Sequence, residues 1–166
     1  MGTTITSKVS IKFSYKKDDL FENCSLKTAH ISRYISENTA IVDHAIMQND
    51  DRSLFDANLP EILGDIYEIF LKLTDGTKSS QLSDSDEISI TIKDNEAYNK
   101  NVVELVDVAL YNCLETGTIA LWYEANNIST ISKDYRNRYI VALRKLSDRI
   151  FQLKKVKFKN VLGTVS

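Results

Sequence analysis

Proline is nearly missing from this chain of 166 residues: Pro60 stands alone, and the five glycines are scattered. So few backbone breakers exclude a Pro/Gly-rich or collagen-like polypeptide and leave regular elements joined by Ser, Asn and Asp turns. Neither Gly-x-Gly-x-x-Gly nor a loop ending in Gly-Lys-Ser/Thr occurs, which excludes nucleotide binding of those two kinds. The histidine supply is His30 and His44, fourteen residues apart and without a cysteine at ligand spacing, so no metal site is expected. Cys24 and Cys113 are too few for a disulfide framework. Cys113 lies on an apolar segment, and both are read as free thiols of a protein kept in a reducing compartment. No nucleophile elbow or Cys/His signature is present, and the carboxylate pairs Asp50/Asp51 and Asp84/Asp86 sit in polar stretches where solvated charge is the default. The expectation is a non-enzymatic protein with no cofactor. No apolar run approaches the roughly 20 residues needed to span a bilayer. Met1-Gly2-Thr3-Thr4-Ile5-Thr6 matches the loose myristoylation pattern, but Gly2 before polar residues is common, and no membrane partner is expected.

Charge of one sign is also lacking overall, with 21 basic and 23 acidic side chains, so net charge names no polyanionic partner. Its distribution is uneven. Arg144, Lys145, Arg149, Lys154, Lys155, Lys157 and Lys159 share their stretch with a single acid, Asp148, whereas Asp84, Asp86, Glu87, Asp94 and Glu96 cluster mid-chain. Opposite patches on one body suit head-to-tail contact between copies or, equally, two solvated faces.

Against these absences stand strong periodicities. From 5 to 15 apolar residues alternate with polar ones, placing Val9, Ile11, Phe13 and Tyr15 on one face; Ile88, Ile90 and Ile92 alternate likewise over 87–93. Both are half-buried strands predicted to pair, and a two-stranded ribbon needs helices or a neighbour's sheet to cover it. Helices are predicted over about 18–34, 54–73, 96–124 and 132–155, with a mobile Ser-rich loop at 77–85. For the second helix, Asn58 or an earlier turn near Arg52 can supply the start, since Pro60 suits a first turn and kinks a longer helix. Gly117 marks a kink or a close helix contact. A polar turn at 126–131, with Ser132 as cap, makes the last two helices antiparallel neighbours. The fold class is α+β, mainly α: a single domain, 1–166, in which a helical bundle with a long C-terminal antiparallel hairpin carries a small antiparallel β-ribbon.

The helix through Val102 to Trp122 is apolar around most of its circumference. One neighbouring surface cannot cover such a rod, and other chains are expected to complete its cover. Candidate interface residues are Val9, Ile11, Phe13, Ile88, Ile90, Ile92, Trp122 and Tyr123, because amphipathic aromatics and uncovered strand faces favour interfaces, although for Trp122 and Tyr123 core packing is the more frequent explanation. Lys154, Lys155, Lys157 and Lys159 alternate with Val156 and Phe158, which fits an edge strand or contact with phosphates or an acidic partner. A helix-turn-helix over 120–144 is disfavoured by the length of its turn.

The helix around 54–73, the hydrophobic helix ending Leu121-Trp122-Tyr123-Glu124, and the Tyr-rich helix finishing Arg149-Ile150-Phe151-Gln152-Leu153-Lys154-Lys155-Val156-Lys157 follow one another in an order that resembles small structural proteins of tailed bacteriophages and prophages of gut Bacteroidetes, including crAss-like phages. The resemblance covers 54–159. The chain departs from that pattern in its lysine-only ending and in its regular N-terminal strand. The resemblance implies a virion protein of the head–tail connector or tail, assembled in the host cytoplasm. Its copies would form a homo-oligomeric ring that meets portal, neck or tail proteins and surrounds the DNA channel, with non-specific DNA contact. The alternative is a cytoplasmic regulatory or accessory module that binds a protein or nucleic acid through the basic C-terminal segment.

Overall fold

The computed structural model describes residues 2–6, 10–33, 45–73, 78–79, 86–93 and 98–153. Strands β1 (Gly2–Thr6), β2 (Ser10–Lys16), β3 (Lys78–Ser79) and β4 (Glu87–Lys93) form one antiparallel sheet in the order β1-β2-β4-β3. Helices are α1 (Lys17–Ser32), α2 (Arg52–Leu73), α3 (Val103–Ala125) and α4 (Ser129–Leu153). The expected α+β, mainly helical architecture is what the chain adopts.

The central pair is β2 with β4, in the register Ile11↔Ile92, Phe13↔Ile90 and Tyr15↔Ile88. Both strands alternate buried and half-buried residues, the period-two pattern of a sheet with one face on a core. The sequence predicts a single strand over 5–15; the structure instead has two strands, β1 and β2, paired from Gly2↔Ser14 to Thr6↔Ser10. Residues 78–79 of the expected 77–85 loop are a short edge strand on β4; 77 and 80–85 lie outside the described residues.

Lys16 passes directly into α1, and the Lys17 amide donates to the Asp86 carbonyl at 2.9 Å, tying the start of the helix to the approach of β4. Helix α2 begins at Arg52, the earlier of the two possible starts. A 3-10 turn at Asn49–Asp51 leads into it, closed by a Gln48/Asp51 capping box that satisfies amide groups the helix cannot reach. Pro60 therefore lies inside α2, where it withholds one backbone donor. Helix α3 starts at 103, later than the expected 96, after a 3-10 turn at Lys100–Val102 whose Asn99 side chain accepts from the Asn101 amide at 3.2 Å.

Helices α3 and α4 make the most extensive contact in the molecule. They are antiparallel over their whole length: the far ends are joined by the Asn99 amide donating to the Leu153 carbonyl at 2.7 Å. The turn between them is shorter than the sequence predicts. Asn127 adopts φ 57°, and the Asn127 and Ile128 amides donate to the Glu124 and Tyr123 carbonyls at 3.1 and 3.0 Å. This pair of bonds around a left-handed residue is a Schellman cap, which asparagine tolerates. The cap closes α3 at once, so α4 begins at Ser129 rather than 132. Turn length thus does not separate this pair from a helix-turn-helix; side-by-side packing along both helices does.

A single core joins the sheet to all four helices. Phe13 of β2 meets Phe70 of α2 with ring centroids 6.0 Å apart, and Tyr15 meets Tyr111 of α3 at 5.6 Å. Gly117 of α3 sits tightly against its neighbours: a Cβ there would lie 2.9 Å from Tyr139 Cε2 and 3.1 Å from Ile62 Cγ2. The expected close contact at this glycine is thus formed with α4 and α2 together.

Candidate functional site

Helix α3 was expected to carry more apolar surface than its own chain can cover. The structure covers most of it: Leu110, Cys113, Leu114, Ile119, Ala120 and Tyr123 are all fully buried. Only its first turns are open, with Leu105 at 45% and Val108 at 62% exposure. Residues 105, 108, 112 and 116 follow helical spacing and share one face. That face leads into a groove of about 400 Å³ between α1, α3 and α4, lined by Lys27, Glu115, Thr116, Arg138, Val141 and Lys145 among others.

Glu115 is 6% exposed, and the Lys27 ammonium of α1 donates to its carboxylate. A carboxylate this enclosed needs such a partner, since burying an unpaired charge is costly. The adjacent Cys24 thiol approaches the Glu115 carbonyl at 3.9 Å, and Thr116 Oγ1 donates to the Asn112 carbonyl at 2.6 Å. On the opposite wall Arg138 pairs with Asp134 at 2.8 Å and lies over the Tyr135 ring, 5.0 Å from its centroid. Lys145 and Val141 are exposed on the same wall. The groove is thus lined mainly by polar and charged side chains, with Val141 as exposed aliphatic surface between Arg138 and Lys145, a mixture suited to a partner side chain.

The buried thiols and phenols of the core are held in their neutral form. Burial pushes the Cys113 thiol up to about 12, and burial, then Glu115, raises Cys24. Neither is a thiolate at neutral pH, so neither is an activated nucleophile. Burial likewise raises Tyr111 and Tyr135. Tyr15 is raised by burial first and then by Asp107, whose carboxylate its hydroxyl meets. Tyr139 is raised by burial and by Asp65, to which it donates at 3.0 Å.

The residues expected to form an interface lie elsewhere. Ile11, Phe13, Ile88, Ile90 and Ile92 are at most 1% exposed and pack on the chain's own helices. Alternation in a strand signals a covered face, and here the cover is intramolecular. Trp122 and Tyr123 are 3% and 0% exposed and belong to the same core, Tyr123 beside Tyr135 at 5.8 Å. All seven are buried within the chain itself. Val9, Lys154, Lys155, Lys157 and Lys159 lie outside the described residues. Sequence reasoning missed the Lys27–Glu115 pair, because its members are 88 residues apart and no local pattern links them. Leu105 and Val108 belonged to the rod it singled out, but nothing there marked them as the open part.

Among the described residues no helix is long and apolar enough to cross a membrane, and no group of three or more His, Cys, Asp or Glu is placed to hold a metal ion. The chain matches no protein-family model, no curated protein and no solved structure.

Proposed function

We propose that this chain is a non-enzymatic assembly protein of a tailed-phage virion, a component of the head–tail connector or tail whose copies form a ring around the DNA channel and meet neighbouring portal, neck or tail proteins. The observation that carries an assembly role is the Leu105–Val108 row, aliphatic and open, running into a cation-edged groove on the helical hairpin. An exposed aliphatic strip with a polar rim is the anatomy of a docking surface rather than of a reaction centre. Ile140 and Phe151, exposed at 41% and 59% on α4, add a second surface for a different neighbour, as a chain placed between two assemblies requires. The virion setting comes from the order of helices, aromatics and basic end in the sequence.

Mass photometry of the full chain, together with mass spectrometry of purified virions, tests the reading. The expected result is a discrete oligomer, or the chain as a stoichiometric virion component. The double substitution Leu105→Glu/Val108→Glu is expected to reduce the oligomer to smaller species with an unchanged melting temperature. A chain that is monomeric in isolation and absent from virions overturns the proposal.

A further inference from the structure

The sheet has two edges, and they are unequal. Edge strand β3 is two residues long and pairs only with Ile90 and Thr91 of β4, and shortness is one of the ways natural sheets protect an edge. Edge strand β1 is five residues long and uses one side to pair with β2 at every position. Among the described residues no strand lies along its other side. Its sequence, Gly-Thr-Thr-Ile-Thr, contains no charge and no proline, the usual deterrents to stray pairing, and Thr and Ile are strong strand formers.

We propose that β1 joins two copies of this chain edge to edge, antiparallel about Thr4. That register sets Gly2 opposite Thr6 and Thr3 opposite Ile5 of the second copy, so that all five residues are paired. Two sheets of four strands become one of eight. A second copy is the occupant because a charge-free strand sets no like charge against itself when it pairs with its own copy, and antiparallel pairing is the one used throughout this sheet. The contact is isologous, the same patch on both copies, so it closes on a pair. It is separate from the groove on the hairpin and does not rest on the virion reading.

Thr4 on the two-fold axis gives a sharp test, because any charge placed there meets itself. Sedimentation velocity of the full chain is compared for wild type, Thr4→Lys, Thr4→Glu and an equimolar mixture of the two variants. Wild type is expected to self-associate with concentration, each variant to do so about fivefold more weakly, and the mixture to regain or exceed wild-type association. Thr4 is opposite Lys12 in the chain's own hairpin, so amide protection of 10–16 is followed to verify that both variants keep β2 in place. In wild type, amides of 2–6 should gain protection as concentration rises. Variants that associate like wild type, a mixture no tighter than either variant, or exchange in β1 that ignores concentration overturns the inference. Loss of assembly in Leu105→Glu/Val108→Glu with no effect at Thr4 would remove the β1 contact and leave the hairpin surface standing. The opposite pattern would do the reverse.

Discussion

Helix α3 has two regions with opposite fates. From Leu110 to Tyr123 its aliphatic residues are enclosed: α1 lies against it through Lys27 and Glu115, α2 through Ile62 at Gly117, and α4 along its length. From Leu105 to Val108 the same kind of aliphatic sequence is open to solvent. An apolar circumference says that a helix is covered on every side; it does not say by whom. A body of 166 residues supplies three helical neighbours and a sheet, enough for all but the first turns of the rod.

Alkaline pH separates the two regions most strongly, because the groups whose titration is held back lie in or against the enclosed part. Tyr15, Tyr123 and Tyr139 are raised above their ordinary value of 10.0, chiefly by burial, as are Cys24 and Cys113 above 9.0. Each group is neutral when protonated. Below the unfolded value both states keep the proton and stability is intact; above it the unfolded chain releases a proton that the folded chain retains, so stability falls as pH rises. Each group contributes a loss of about 1.4 kcal/mol per pH unit above its unfolded value. Three tyrosines alone give roughly 4 kcal/mol by pH 11. Urea unfolding should weaken steeply above pH 9, with tyrosinate absorbance appearing together with loss of structure. Tyrosinate that forms gradually in a chain still folded would contradict the enclosure.

A pair of truncations tests the comparison at single residues. Leu110→Ala opens a cavity in the enclosed region and should cost about 3 kcal/mol in urea unfolding. Val108→Ala, two residues away on the open face, should stay within about 0.5 kcal/mol. Similar costs for the two would mean that the first turns of α3 are covered in solution, and the hairpin surface would then lose its claim to a partner.

Much of the architecture was legible because period carries it. Ile88, Ile90 and Ile92 marked β4 to the residue, and the three- and four-residue spacing of Leu59, Ile62, Leu63, Ile66 and Phe70 marked α2. The β1–β2 hairpin was not, since Gly2–Thr6 holds one apolar residue and shows no alternation of its own, and Ser7-Lys8-Val9 contains no glycine, proline or asparagine to mark a break. The described interface candidates are buried in the chain's own core for a related reason. Ile11 and Ile90 announce a buried face, and burial by the same chain and by another chain write the same local pattern. Lys27 and Glu115 meet only once α1 and α3 are packed, so their pairing had no trace in sequence.

The turn at Asn127 shows how one backbone angle decides where α4 begins. Its φ of 57° costs an ordinary L residue roughly 1 kcal/mol, whereas asparagine and glycine enter the left-handed region readily. The Asn127 and Ile128 amides depend on that angle to reach the Glu124 and Tyr123 carbonyls, and the cap they form lies at the enclosed end of α3, far from Leu105. Asn127→Ala should therefore lower stability by about 1 kcal/mol, and Asn127→Gly should leave it nearly unchanged. Hydrogen exchange at 127 and 128 should quicken in the alanine variant, while the assembly state set by the open end stays as in wild type. An alanine variant as stable as the glycine variant would show that the turn does not need the left-handed residue, and the early start of α4 at Ser129 would lose its cause.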